Sequence, residues 1–222
     1  MKRLDHLWDL ALIVSNHESK ITSLTFLSKK NNCFSIELDN GSNYTIHSDY
    51  VVRYKIKKNS FVDERVLEQA LVQTEKQQIK NKIILLLSYR LRSKKELTDS
   101  LISKGFNSNN VIDVINDLVE RKYIDNFRFA KMYATHLIKE KKLGKRIVEK
   151  KLEHHEIDSQ TIEDVISALY KKYCPAETIN AIIKKKKNLF KGTDLDKKKL
   201  INYLMRKGFH FDDIEVAIES RF

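Results

Sequence analysis

Residues 93–106 read SKKELTDSLISKGF, and the phrase returns twice: as GKRIVEKKLEHHEI at 144–157 and as DKKKLINYLMRKGF at 196–209. Ser93 followed by Glu96 has the spacing of a capping box, with the hydroxyl on the helix start and the carboxylate reaching back. Gly144 and Asp196 stand where Ser93 stands and are acceptable N-caps. Leu97, Val148 and Leu200 correspond, as do Leu101, Leu152 and Leu204. Four residues on come Gly105, Glu156 and Gly208, then Phe106, Ile157 and Phe209: a helix, a stop and a hydrophobic latch. A further helix opens at Val111, Ile162 and Ile214 and continues at Ile115, Ile166 and Ile218. The copies lie 51 and then 52 residues apart without an internal gap.

A period of about fifty residues means a tandem array, and the helical segments before each phrase make three helices per repeat. These are KNKIILLLSYRL, FRFAKMYATHLIKEKK and AETINAIIKKKKNLF. Modules stacked in series touch mainly their neighbours, so the expected fold is mainly α, an elongated curved body of tandem three-helix repeats. Five glycines and one proline in 222 residues, against usual shares of roughly 7% and 5%, agree with a helical chain.

Upstream the period changes. ITSLTFLS, CFSIELD and SNYTIHS, at residues 21–48, read as a small antiparallel sheet, with Asn40-Gly41 as the centre of a type I′ hairpin. Three strands are marginal alone and need Tyr50, Val51 and Val52, or the following helix, beneath them. That helix is expected from Asp63 to about Arg92, with a break near Thr74. MKRLDHLWDLALIVSNHESK has a basic start but is interrupted by Asp5 and Asp9 and lacks a cleavage signal. It is expected to be an amphipathic helix carrying Leu4, Leu7, Trp8, Ala11 and Leu12. The expected boundaries are an N-terminal extension at 1–20, a β-rich region at 21–62, and helical repeats at 63–123, 124–172 and 173–222.

No apolar run approaches the roughly 20 residues needed to cross a bilayer, which implies a soluble protein without a membrane partner. Cys33 and Cys174 lie far apart with no metal-ligand spacing, which suits reduced thiols in the cytoplasm. His154, His155 and Glu156 are adjacent, but neighbours on a helix point about 100° apart and no HExxH is present, so exposed polar residues are expected. Asp212-Asp213 before a helix suits the helix dipole without catalytic duty. With no nucleophile elbow and no phosphate loop, neither an enzyme nor a cofactor or metal is expected.

Charge is more informative. The chain has 42 Lys and Arg against 30 Asp and Glu; residues 1–75 hold ten of each, so the whole excess of +12 lies in residues 76–222. Such a surplus suits a nucleic-acid partner. Lys94 and Lys95, Lys145 and Arg146, and Lys197 and Lys198 fall in the first turns of their helices, where each cation costs about 0.3–1 kcal/mol against the macrodipole. An anion at the capped helix start would offset that. Arg90 and Arg92, Lys139, Lys141 and Lys142, and Lys184, Lys185, Lys186 and Lys187 lead into the same three points. Together they form a track for an extended acidic ligand.

The residues that carry these patterns also carry a resemblance. YRLRSKKEL with LISKGF, the link ERKYIDNFRFAKMY, GKRIVEKKL and LINYLMRKGF stand in the order and spacing of the RecX family, and the resemblance runs from about Ile21 to Ser220. The family usually has glycine before the tyrosine of YID, where this chain has Lys122, and a second aspartate where it has Asn126. The resemblance implies a cytoplasmic, non-enzymatic regulator in recombination, DNA repair and the SOS response. Such a protein binds the filament of the RecA recombinase on single- or double-stranded DNA, and mainly inhibits filament extension, ATP hydrolysis and strand exchange; this chain is expected to be a monomer. The alternative function is a helical DNA-binding transcription regulator, which would bind specific duplex sequences tightly.

Overall fold

The computed structural model describes residues 18–28, 32–185 and 194–219, which form four strands and ten helices. The expected N-terminal helix with Leu4, Leu7, Trp8, Ala11 and Leu12 lies outside the described residues, as do Lys186 and Lys187. The described residues form two compact units: those up to 82 with 106–114, and 83–105 with those from 115 onward. No helix among the described residues is long and apolar enough to cross a membrane.

The first unit holds strands β1 (Glu18–Ser28), β2 (Cys33–Leu38), β3 (Asn43–His47) and β4 (Phe61–Asp63), with the short helix α1 (Ser48–Arg53). The sheet is antiparallel in the order β3-β2-β1-β4. Alternation works as the strand period requires: Ile21, Ile36, Leu38 and Ile46 turn inward and are buried against Val51, Ile56, Leu67 and Ala70. The fourth strand pairs Phe61 with Lys20 and Asp63 with Glu18; three residues are too few to show a period in sequence.

The hairpin is not type I′. Of the pair at its tip only Gly41 has a positive φ, +85°. Leu38 accepts from the Gly41 amide (3.1 Å) and donates to the Ser42 carbonyl (2.9 Å), giving a three-residue loop closed by a left-handed glycine. Asn40 is held otherwise, its side-chain amide donating to Glu64 (2.8 Å) while its carbonyl oxygen accepts from the Ser42 amide (2.9 Å).

Helix α2 (Glu64–Tyr89) runs unbroken through Thr74. The buried Thr74 hydroxyl donates to the Ala70 carbonyl (2.8 Å) and accepts from the His47 amide (3.0 Å). A β-branched polar residue in mid-helix reads as a weak point, but here its hydroxyl ties the helix to the end of β3.

After α2 come α3 (Lys94–Ile102), α4 (Ser108–Glu120), α5 (Asn126–Lys139), α6 (Lys145–His154), α7 (Ser159–Lys172), α8 (Pro175–Lys185), α9 (Asp194–Arg206) and α10 (Phe211–Glu219). Of the fifteen recurring apolar positions all but Phe106 are buried, from Leu97 and Leu101 through Val148 and Leu152 to Ile214 and Ile218, and Phe106 is half-buried. In the second unit α5, α6 and α7 enclose one core around Phe129, Leu137, Val148, Leu152 and Ile166. Helices α8, α9 and α10 enclose another around Ile182, Leu200, Leu204, Phe209 and Ile214. Burial of each such large side chain stabilises by about 1.5–3 kcal/mol.

The three stops share one backbone geometry. Gly105, Glu156 and Gly208 have φ of +86°, +53° and +90°. Past the second and third, the amides of Ile157 and Phe209 reach back to the carbonyls of Leu152 and Leu204, each at 3.3 Å. These bonds satisfy helix-end carbonyls and swing Ile157 and Phe209 into their cores.

A fourth stop of this kind explains the YID sequence. Lys122 has φ +59°, Tyr123 donates to the Leu118 carbonyl (2.9 Å), Ile124 is buried, and Asp125 caps α5 by accepting from the Arg128 amide (2.8 Å). A left-handed lysine costs roughly 1–2 kcal/mol, partly matched by the entropy a glycine would lose on folding. Lys122→Gly should therefore raise stability by about 0.5–1 kcal/mol in urea melts; a loss would mean that the site is not strained.

Candidate nucleic-acid interface

The cations at the helix starts need something negative beside them, and the structure supplies it from within the chain. At the start of α3 the buried Ser93 hydroxyl accepts from the Glu96 amide (3.1 Å), and the Lys94 amide donates to Asn126 Oδ1 (3.0 Å). Only half of the capping box forms. The Glu96 carboxylate turns instead to the guanidinium groups of Arg90 and Arg92. Burial would raise this carboxyl, but hydrogen bonding and charge from Arg90, then Arg92, outweigh it and hold Glu96 below the ordinary carboxylate range.

Lys95 reaches across to the stop of the next phrase, its ammonium 2.8 Å from Glu156 and 3.5 Å from Asp99. The hydrogen bond with Glu156 raises its pKa above the ordinary lysine value. Ser93 approaches the same stop, its hydroxyl 3.1 Å from His155 Nδ1. The start of α3 thus meets the end of α6.

The start of α6 meets the end of α9 in the same way, with backbone in place of side chains. Gly144 makes no side-chain cap, but its amide donates to the Lys207 carbonyl (2.9 Å) and the Arg146 amide to the Gly208 carbonyl (3.2 Å). A Cβ at Gly144 would lie 2.3 Å from the Gly208 carbonyl carbon, so the approach requires glycine. The carbonyl end of a helix is the negative pole of its dipole, and it sits here against the amide end that carries Lys145 and Arg146. These helix-start amides are therefore bound to the chain itself and are not open to an outside anion. Asp196 is not a cap, because α9 begins two residues earlier at Asp194, which places Lys197 and Lys198 beyond the first turn.

The other basic candidates are arranged differently. Lys139, Lys141, Lys142, Arg146, Lys184, Lys185, Lys197 and Lys198 are exposed and form no ion pair among the described residues. Lys94 donates to the Asn116 side chain (2.9 Å), and Lys145 stands 3.8 Å from Glu149. The ammonium groups of Lys139 and Lys172 lie 5.8 and 5.6 Å from the centre of the Tyr173 ring. A small cleft there, about 240 Å³, is lined by Lys139, Lys142, Tyr173 and Cys174. An aromatic ring among cations is the arrangement that binds single strands, by stacking and charge together. Charge counting alone misses Tyr173 and Lys172; the dipeptide Lys172-Tyr173 at a helix end was the available signal.

Of the three adjacent polar residues, His154 and Glu156 are exposed as expected, but His155 is half-buried. Its ring stands edge-on to Phe129 (4.9 Å between centres) and Tyr133 (5.0 Å). Burial lowers its pKa, Glu96 partly offsets this, and His154, Arg90 and Lys151 lower it further.

The chain matches no family model. It is 30% identical over 203 residues to the regulatory protein RecX of Bacillus velezensis, covering 90% of this chain and 76% of that one. It is likewise 30% identical over 205 residues to the regulatory protein RecX of Staphylococcus saprophyticus, covering 90% and 74%. Two crystal structures share the fold. That of a regulatory protein RecX has a TM-score of 0.70 at 18% identity over 90% of this chain and 99% of the other. That of RecX from Lactobacillus salivarius has a TM-score of 0.59 at 24% identity over 66% and 96%.

The His155 contacts carry a pH dependence. With its folded pKa below the ordinary value of about 6.5, the neutral ring's contribution is complete above that pH and is lost as the pH falls below it. Glu96, held low, stays charged through this window. Thermal melts at about pH 7.5 and 5.5 should show a larger loss for the wild type than for His155→Gln; equal losses would exclude His155 as the group responsible.

Proposed function

The chain belongs to the RecX family, and from that premise we propose that it is a non-enzymatic regulator of recombination. It acts in the cytoplasm as a monomer, binding the RecA–DNA filament and mainly inhibiting filament extension, ATP hydrolysis and strand exchange. What carries this reading is the 30% identity over about 90% of the chain to proteins named regulatory protein RecX.

The physical arrangement supports it. The recurring helix-start to helix-end contacts hold basic groups at fixed intervals along the chain, and the filament is a periodic acidic ligand, so several weak contacts would act together. Lys139, Lys141, Lys142, Arg146, Lys184, Lys185, Lys197 and Lys198 are the best candidates for that contact, because no acidic partner among the described residues neutralises them. Arg90, Arg92 and Lys95 are tied into internal ion pairs and have a second, structural duty. The three repeats at 63–123, 124–172 and 173–222 would engage the filament as successive modules.

The test is to titrate the protein into RecA filaments preformed on single-stranded DNA while following ATP hydrolysis. A saturable fall is expected, and unchanged hydrolysis at every ratio would contradict the reading. Lys139→Glu with Lys142→Glu should weaken the inhibition several-fold and leave the melt unaltered. Lys95→Glu, which places two carboxylates together at Glu156, should lower the melting temperature. If the first pair unfolds the protein as Lys95→Glu does, those lysines are structural.

A further inference from the structure

Beside the contact between α3 and α6 the second unit opens a cleft of about 540 Å³. Its floor is one face of α5, where Phe129, Met132, Tyr133 and His136 follow the i, i+3, i+4, i+7 spacing. Such a stripe normally faces a core. Here Phe129 does so fully, at 1% exposure, and Tyr133 packs against the same core while staying half-buried, whereas Met132 is 39% exposed. The rings of Phe129 and Tyr133 are stacked, 5.5 Å apart and 20° from parallel. His155, Arg90 and Glu96 complete the lining.

Three properties define what fits. The surface is aromatic and apolar, and the volume lies within the roughly 300–1,000 Å³ usual for small-molecule sites. The charge is positive, because the single carboxylate of Glu96 is shared by Arg90 and Arg92, with Lys151 near enough to act on His155. The polar edge includes donors, among them the Arg90 guanidinium and the Tyr133 hydroxyl. Ser93 Oγ accepts from the Glu96 amide and is paired with His155 Nδ1 at 3.1 Å. Neither the Tyr133 hydroxyl nor the His136 ring has a hydrogen-bond partner among the described residues. A flat molecule with acceptors on its edge and a negative charge meets all three conditions.

We propose that this cleft binds a nucleotide, its base stacked on Tyr133 beside His155 and its phosphate toward Arg90. The nucleotide is either free or one unit of a single strand. The proposal goes beyond the regulation of a filament and needs no recombinase. Full-length protein is mixed with 8-azido-AMP or with a fluorescein-labelled oligothymidylate carrying 5-iodouracil, irradiated, and the labelled peptides are identified. Labelling by the oligonucleotide alone assigns the cleft to a strand, by the azido nucleotide alone to a free nucleotide, and by both to either source. Tyr133→Leu should lower affinity roughly ten-fold by removing the stacking ring, and the exposed His136→Glu should lower it without disturbing the fold. Labels found only elsewhere, or affinity unchanged in His136→Glu, would overturn the proposal. Because the assay contains no recombinase filament and no ATP hydrolysis, its failure is separable from failure of the regulatory reading.

Discussion

The amide end of one helix set against the carbonyl end of the helix one repeat later is the contact on which the rest of the second unit depends. It occurs twice at equivalent positions. Ser93 and Lys95 meet His155 and Glu156 through side chains, and Gly144 and Arg146 meet Lys207 and Gly208 through backbone hydrogen bonds. In the second case unsatisfied backbone groups at two helix ends satisfy one another, and in both opposite dipole poles are brought together. The left-handed stop makes this possible, because it turns the chain at Glu156 and Gly208 and presents those positions to the preceding repeat. A cation at the helix start, unfavourable for an isolated helix, becomes tolerable beside those carbonyls and the Glu156 carboxylate.

Much of the fold was legible because it is written in recurring apolar positions. Leu101, Leu152 and Leu204 announce a shared core role by spacing alone, and aligning them identifies Glu156 as a stop although it is not glycine. What could not be read was carried by backbone or by distance. The Gly144 amide pairs with a carbonyl 63 residues away, and a carbonyl has no sequence signature. His155 looked exposed because the rings that cover it belong to another helix. Strand β4 is too short to declare a period, and Asn40 has a side chain to place as well as a turn to make.

The same distinction applies to the basic residues. Their number and concentration after residue 75 were plain from sequence, but their division of labour was not. Arg90, Arg92 and Lys95 hold elements of the chain together, whereas Lys139, Lys142 and Lys172 cluster around or beside Tyr173. Charge alone cannot separate these groups, because the separation depends on which carboxylate or ring the fold brings near. It also bears on function, since an outside anion recruits most readily the cations, or the guanidinium donors, that the chain has left available.

The most direct measurement of the central contact is native-state hydrogen exchange at the Gly144 and Arg146 amides of the full-length protein. Amides at a helix start have no partner within their own helix and normally exchange freely. The account predicts exchange slowed roughly a hundred-fold or more, in the range of amides within α6, since each donates to a carbonyl at the end of α9. Exchange at the rate of an open helix end would show that the contact does not hold in solution and would contradict the account.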